Sequence, residues 1–165
     1  MDNTLMESFD LFIMARAVHI SGVVLWIGGV AFVTLVLLPA IREMTEPEKR
    51  LELFEQLEGR FAIQARIVTL ITGLSGLYML DYLDAWDRYQ HLQFWWMHLM
   101  TFIWAVFTLV LFVLEPLFLH RWFHHQATIN SEKTFRKIQR MHRILLTLSM
   151  IAVFGAVMGA HGYAF

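Results

Sequence analysis

Apolar residues run through this chain in four long stretches, not in the short alternating patches of a soluble domain. Positions 17–41, 92–114 and 144–165 each pass more than 20 residues without Asp, Glu, Lys or Arg, and a fourth stretch, 61–80, is broken only by Arg66. A bilayer core about 30 Å thick takes roughly 20 helical residues, so each stretch predicts a membrane-crossing helix. Arg66 lies about one and a half turns inside its stretch, where a long stem can snorkel towards the interface. With flanking turns included, spans are predicted at about 11–41, 61–81, 92–118 and 141–163. The fold class is then all-α: an integral membrane four-helix up-down bundle forming a single domain over 1–165. The first stretch is too long for the apolar part of a secretion signal and follows no basic segment, so it is expected to remain in the mature chain. Between the first two spans, Leu51, Leu53, Phe54 and Leu57 recur among charges, which predicts a short amphipathic helix on the membrane surface.

Composition agrees with this pattern. Of 165 residues, 58% are apolar and 16% charged, against about 45–50% and about 25% in a typical soluble domain. There is no cysteine, which removes disulfides, thiolate metal sites and cysteine nucleophiles. A net charge of −1 and the lack of a basic, aromatic-interleaved patch give no basis for nucleic-acid binding. The distribution of charge is more informative than its sum. If four spans alternate, Arg42, Lys49, Arg50, Arg60, Arg66, Arg121, Lys133, Arg136, Lys137, Arg140 and Arg143 fall at one end, and only Arg16 and Arg88 at the other. The positive-inside rule then puts the basic end in the cytoplasm and both termini on the periplasmic side of a bacterial inner membrane, in a multi-pass arrangement. Tyr82, Trp86, Tyr89, Trp95 and Trp96 fit an aromatic belt at the outer boundary.

Ionisable groups within a span are rare and usually face the bundle interior, so their depth carries chemical information. His19 lies about eight residues in from the outer end of the first span, His98 about six into the third, and His161 about four from the end of the fourth. At a rise of about 1.5 Å per residue all three fall in one layer, roughly 6–12 Å below the outer face. Imidazoles at one level are satisfied together by coordinating a metal or haem iron. Gly22, one turn beyond His19, and Gly73 and Gly76 on the second span would let a planar macrocycle approach the backbone. Arg16, one turn nearer the exterior than His19, could pair with haem propionates. Gly155, Gly159 and Gly162 form a stripe about 100° from His161, which predicts helix packing instead of cofactor binding. Met14, Met79, Met97 and Met100 also map to the outer half, and thioethers suit copper(I). Arg66 and Glu115 have matching depths near the inner end, which predicts a structural ion pair. His120, His124 and His125, with His142 not far in depth, contain an i,i+4 pair read mainly as interfacial.

The run RAVHISGVVLWIGGVAFVTLVLLPA has His19 seven residues before a Trp-x-Gly-Gly element; RFAIQARIVTLITGLSGLYML follows, and His161-Gly162 comes near the end. Together these segments resemble the four-helix core of the copper-resistance protein D family. The HemJ-type protoporphyrinogen oxidases are similar in the first helix and in a third helix opening with a Trp-x-His-like element, here FWWMHLM. The resemblance covers most of 11–165 and implies an inner-membrane protein of copper handling or haem-dependent redox chemistry, with His19 and His98 matching the family histidines. Where the HemJ-type pattern implies a lysine two residues after the third-helix histidine, this chain has Met100. That departure points away from protoporphyrinogen oxidation and leaves His161 as a further polar group at the same depth.

The expectation is an inner-membrane b-type cytochrome-like redox protein. It would carry one haem b near the periplasmic face, held by two of His19, His98 and His161, and exchange electrons with quinone or a membrane redox partner. Turnover as a haem-dependent oxidoreductase stays open. The alternative is a copper-transport or copper-resistance membrane protein using the same histidines with Met14, Met79, Met97 and Met100. A third reading is an assembly subunit whose histidines are only hydrogen-bonded. No nucleophile triad, phosphate loop or paired catalytic carboxylates appears in the sequence.

Overall fold

A computed structural model describes residues 3–44 and 46–163, which contain helices and no strand. Four helical stretches are long and apolar enough to cross a membrane: Met6–Glu43, Lys49–Tyr82, Leu92–Phe118 and Ile129–Ala160. The first span comprises α1 (Asn3–Phe32), a π-helical stretch Val33–Leu37 and α2 (Leu38–Glu43). The second is α3 (Pro47–Tyr82). After two short 3₁₀ turns, Trp86–Gln90 and Leu92–Phe94, the third span is α4 (Trp95–Leu109) running into a π-helical stretch Val110–Leu119. The fourth is α5 (His120–Ala160), which kinks at Asn130 (φ −151°, ψ 85°). The Asn130 side-chain oxygen accepts the Lys133 N–H at 2.9 Å and so caps the helix that starts anew at Ser131.

Contacts between the spans show that successive helices run antiparallel. Phe12 stacks on Tyr82 at 4.7 Å while Phe61 lies against Gly29, and Arg66 reaches Leu111 while Trp104 reaches Thr69. Trp95 and Trp96 lie over Gly155 and Gly159. Gly155 and Gly159 of the fourth-span stripe therefore do what their spacing predicted, letting two indoles lie against helix backbone, whereas Gly162 lies past the helix end with nothing against it. Trp96 is buried there, so it does not belong to a surface belt.

Two helices are longer than their apolar stretches. The segment expected as a separate amphipathic helix is continuous with the second span, giving α3 its 36 residues, about 54 Å of helix. Its Glu, Leu, Lys and Arg are strong helix formers, and Gly59 alone does not interrupt them. Phe54 is buried with Val33, Leu38, Ile41 and Phe135 in a cluster beyond the membrane-depth core of Trp26, Ile27, Val30, Val68, Ile103 and Ala152. The fourth span stops earlier than expected, at Ala160. There Tyr163 N–H bonds the Met158 carbonyl and Gly162 N–H the Gly159 carbonyl, with Gly162 at φ +80°, the pairing that ends a helix on a left-handed residue. Asp84, at φ +45°, ends α3 the same way.

Pro116 lies inside the third span's π-helical stretch and leaves one of its carbonyls without a backbone donor. In i→i+5 pairing the Leu111 carbonyl needs the N–H of residue 116, which proline lacks. Arg66 Nε supplies the missing donor at 2.9 Å, and its guanidinium pairs with Glu115. The ion pair expected from matched depths is thus present, with one end on backbone.

Candidate functional site

The bundle's two ends are referred to by a residue each: the His19 end and the Arg42 end. At the His19 end lies a cavity of about 580 Å³, bounded by α1, α3, α4, α5 and the Trp86–Gln90 turn. Aromatic side chains of Trp26, Trp86, Tyr89 and Trp104 form much of its wall, and His19 is the one imidazole among its described lining residues. The volume and largely apolar lining fit a small-molecule or cofactor site.

His19 is held by α3. Its Nδ1 lies 2.9 Å from the Thr72 carbonyl and 3.3 Å from Ser75 Oγ. A carbonyl only accepts, so Nδ1 carries the proton and Nε2 keeps its lone pair. Gly76 makes room for the ring: a Cβ there would meet His19 Cε1 at 3.1 Å. Orientation of one ring nitrogen by a backbone carbonyl, with the other left free, is the usual outer-shell arrangement of a ligating histidine. Thr72, Ser75 and Gly76 share a helix face at the depth of His19, and that i, i+3, i+4 spacing is the signal by which the pairing could have been found in the sequence.

The other predicted residues are placed less uniformly. His98 lies outside the cavity wall with its ring edge-to-face on Tyr89 at 5.3 Å; its Nε2 is buried without a hydrogen-bond partner. His161 is exposed, and its Nδ1–H donates to the Val157 carbonyl at 2.7 Å. The three imidazoles expected at one level do not converge, and among the described residues no group of three or more His, Asp or Glu side chains is arranged to hold a metal. Arg16 is exposed, outside the cavity wall. Gly22 is buried against Thr72 where α1 crosses α3, and Gly73 is covered by the Trp104 indole, whose Nε1 donates to the Thr69 carbonyl at 2.9 Å. Gly22 therefore serves helix contact, whereas Gly73 and Gly76 also line the cavity. Met79, Met97 and Met100 line the cavity with His19, whereas Met14 is 64% exposed on the outer face of α1. Of the remaining histidines, the side chains of His120 and His124 lie outside the described residues, and His142 Nδ1–H donates to the Ile138 carbonyl.

One polar pair stands at the cavity's edge that the sequence reading did not single out. Tyr89 Oη lies 2.6 Å from Thr101 Oγ1. Both residues line the cavity, and the pair is exposed.

Scans against protein-family models, curated proteins and solved structures each find no match to this chain.

Proposed function

We propose that this chain is a membrane b-type cytochrome-like redox protein that holds one haem in the cavity at the His19 end. The observation that carries the reading is His19 itself: an imidazole whose Nδ1–H is committed to the Thr72 carbonyl and whose Nε2 is left free on the wall of a large aromatic cavity. Haem bound there would supply a one-electron redox centre. Thr72 and Ser75 fix the ring's tautomer and direction, and a hydrogen-bonded Nδ1–H makes Nε2 the more basic donor. Trp26, Trp104, Ile103 and Val153 exclude water from the site. His98 is the second residue that could hold the group: its Nε2 lacks a partner, and an unpaired buried nitrogen costs about 1–3 kcal/mol that coordination would offset. Tyr89, which lines the cavity, packs against the His98 ring. Arg16, one turn outward from His19, is available for propionates at the membrane boundary.

The orientation proposed with this function puts the His19 end and both termini on the periplasmic side of a bacterial inner membrane, because the basic residues gather at the opposite end. Quinone or a membrane redox protein is the proposed electron partner.

The test is an optical spectrum of protein produced with ample haem, oxidised and then dithionite-reduced. A Soret band with reduced α and β bands is expected. His19→Ala should abolish it, His98→Ala should convert a six-coordinate spectrum to five-coordinate, and His161→Ala should leave it unchanged. A spectrum with no Soret band overturns the reading.

A copper-handling role is the second reading, because Met79, Met97 and Met100 share the cavity with His19, a soft donor set suited to copper(I). Stoichiometric copper that disappears in Met97→Leu and Met100→Leu variants, without haem absorption, would establish it instead.

A further inference from the structure

The cavity at the His19 end opens sideways. Leu77 on α3 and Thr101 on α4 both line it and are both exposed on the outer surface of the bundle. Thr101 lies six residues past the start of α4 at Trp95, about 9 Å along the helix, and Leu77 lies five residues before the end of α3 at Tyr82. A mouth at that depth between two membrane-crossing helices faces hydrocarbon, so a ligand entering by this side comes from within the bilayer.

Polar groups facing hydrocarbon are costly unless paired. At this mouth Tyr89 Oη and Thr101 Oγ1 pair with each other at 2.6 Å. Two hydroxyls joined by one hydrogen bond use only one of their two protons, so one O–H remains free to donate. Around that donor the lining is apolar and aromatic, with Trp86, Leu77, Leu80 and Met97. The combination suits a flat ring with a carbonyl acceptor on its rim and an apolar tail left in the lipid. A saturated chain would gain nothing from the hydroxyl, and a charged solute could not cross the lipid to reach it.

We infer that the mouth between α3 and α4 is a docking site for the ring of a membrane-dissolved quinone, with a ring carbonyl accepting a hydrogen bond from the Tyr89–Thr101 hydroxyl pair. Its physiological meaning rests on the redox function proposed above, for which it selects quinone over a protein as the electron partner. The binding itself requires no haem.

The experiment uses the full chain in phosphatidylcholine nanodiscs, titrated with a decyl-tailed benzoquinone and followed by quenching of tryptophan fluorescence, since Trp86 and Trp104 line the site. Saturable quenching is expected. Tyr89→Phe and Thr101→Val, each near in size to the original, should together weaken binding about tenfold, as for loss of one hydrogen bond made away from water. Leu70→Ala, on the outer surface of α3 away from the cavity, should bind as the parent does. Thermal unfolding of each variant confirms that it is folded. Non-saturable quenching, unchanged affinity in the folded double variant, or equal competition by dodecanol, which has a tail but no ring, would each overturn the inference. The Soret band of the same preparations is read separately. Parent protein that quenches saturably without a Soret band, or shows a Soret band without saturable quenching, tells failure of haem binding apart from failure of quinone docking.

Discussion

At the Arg42 end, Leu38, Ile41 and Phe135 are each 1% exposed or less, and three chain segments are tied by ion pairs around Glu132. Arg42 donates to Glu132 at 2.8 Å and to Gln139 at 2.6 Å, while Arg50 reaches the same carboxylate at 3.4 Å and the Met44 carbonyl at 2.5 Å. At the His19 end the same four spans enclose a cavity of about 580 Å³, while buried polar atoms without partners occur at both ends, Arg42 Nε and Ser131 Oγ at one and Trp26 Nε1, Thr72 Oγ1 and His98 Nε2 at the other. One end is packed and cross-linked by ion pairs, and the other encloses open volume. A bundle fastened at one end can keep a large cavity at the other, because the helices cannot all collapse into it. Sites of function are where such departures from complete packing are expected.

The contrast can be broken most sharply at Phe135. Truncation to Ala removes a ring fully buried against Phe54 and should cost about 3–5 kcal/mol of stability, measured by denaturant unfolding in a mild detergent. At the boundary between the two ends, Glu115→Ala leaves the Arg66 guanidinium without its carboxylate. The pair keeps side-chain exposures of 31% and 20%, so the loss should be about 2 kcal/mol, below that of a fully buried pair. Replacing both partners, as in Arg66→Met with Glu115→Leu, should restore part of this, because no lone charge remains. At the His19 end, Asp84→Gly relieves a left-handed residue at the end of α3 and should raise stability by about 0.5–1 kcal/mol. The smallest effect on stability should come from His19→Ala, within about 0.5 kcal/mol, because the side chain already borders empty space and its loss strands only groups with other partners. A loss of several kcal/mol in His19→Ala would show that the cavity end is as structural as the other.

Much of this division was visible in the sequence. Four charge-poor stretches gave four spans, the matched depths of Arg66 and Glu115 gave the ion pair, and the spacing of Gly155 and Gly159 gave a packing face. The continuation of α3 down to Pro47 was harder to read, because charged residues mark the end of a membrane span without ending the helix. At the candidate site, His19 and the shared face of Thr72, Ser75 and Gly76 were each present in the sequence, but that they meet, and that Tyr89 meets Thr101, was not legible, since each polar residue there is ordinary until its neighbour is known.

The three histidines show where the boundary falls. An α-helix climbs about 1.5 Å per residue whatever it packs against, so position along a span sets how deep His19 and His98 lie, while His161 was expected at a similar depth only because its helix was read as continuing past Ala160. Each residue also turns the helix by about 100°, and which way a side chain then faces depends on how the whole helix is rotated against its neighbours. Only the tertiary structure decided that. Gly22 and Gly76 bring α1 onto α3 so that His19 meets Thr72, while Trp95 and Trp96 lock α4 against Gly155 and Gly159 and His98 is left against Tyr89. His161 falls past the end of the helix, where Gly162 turns the chain.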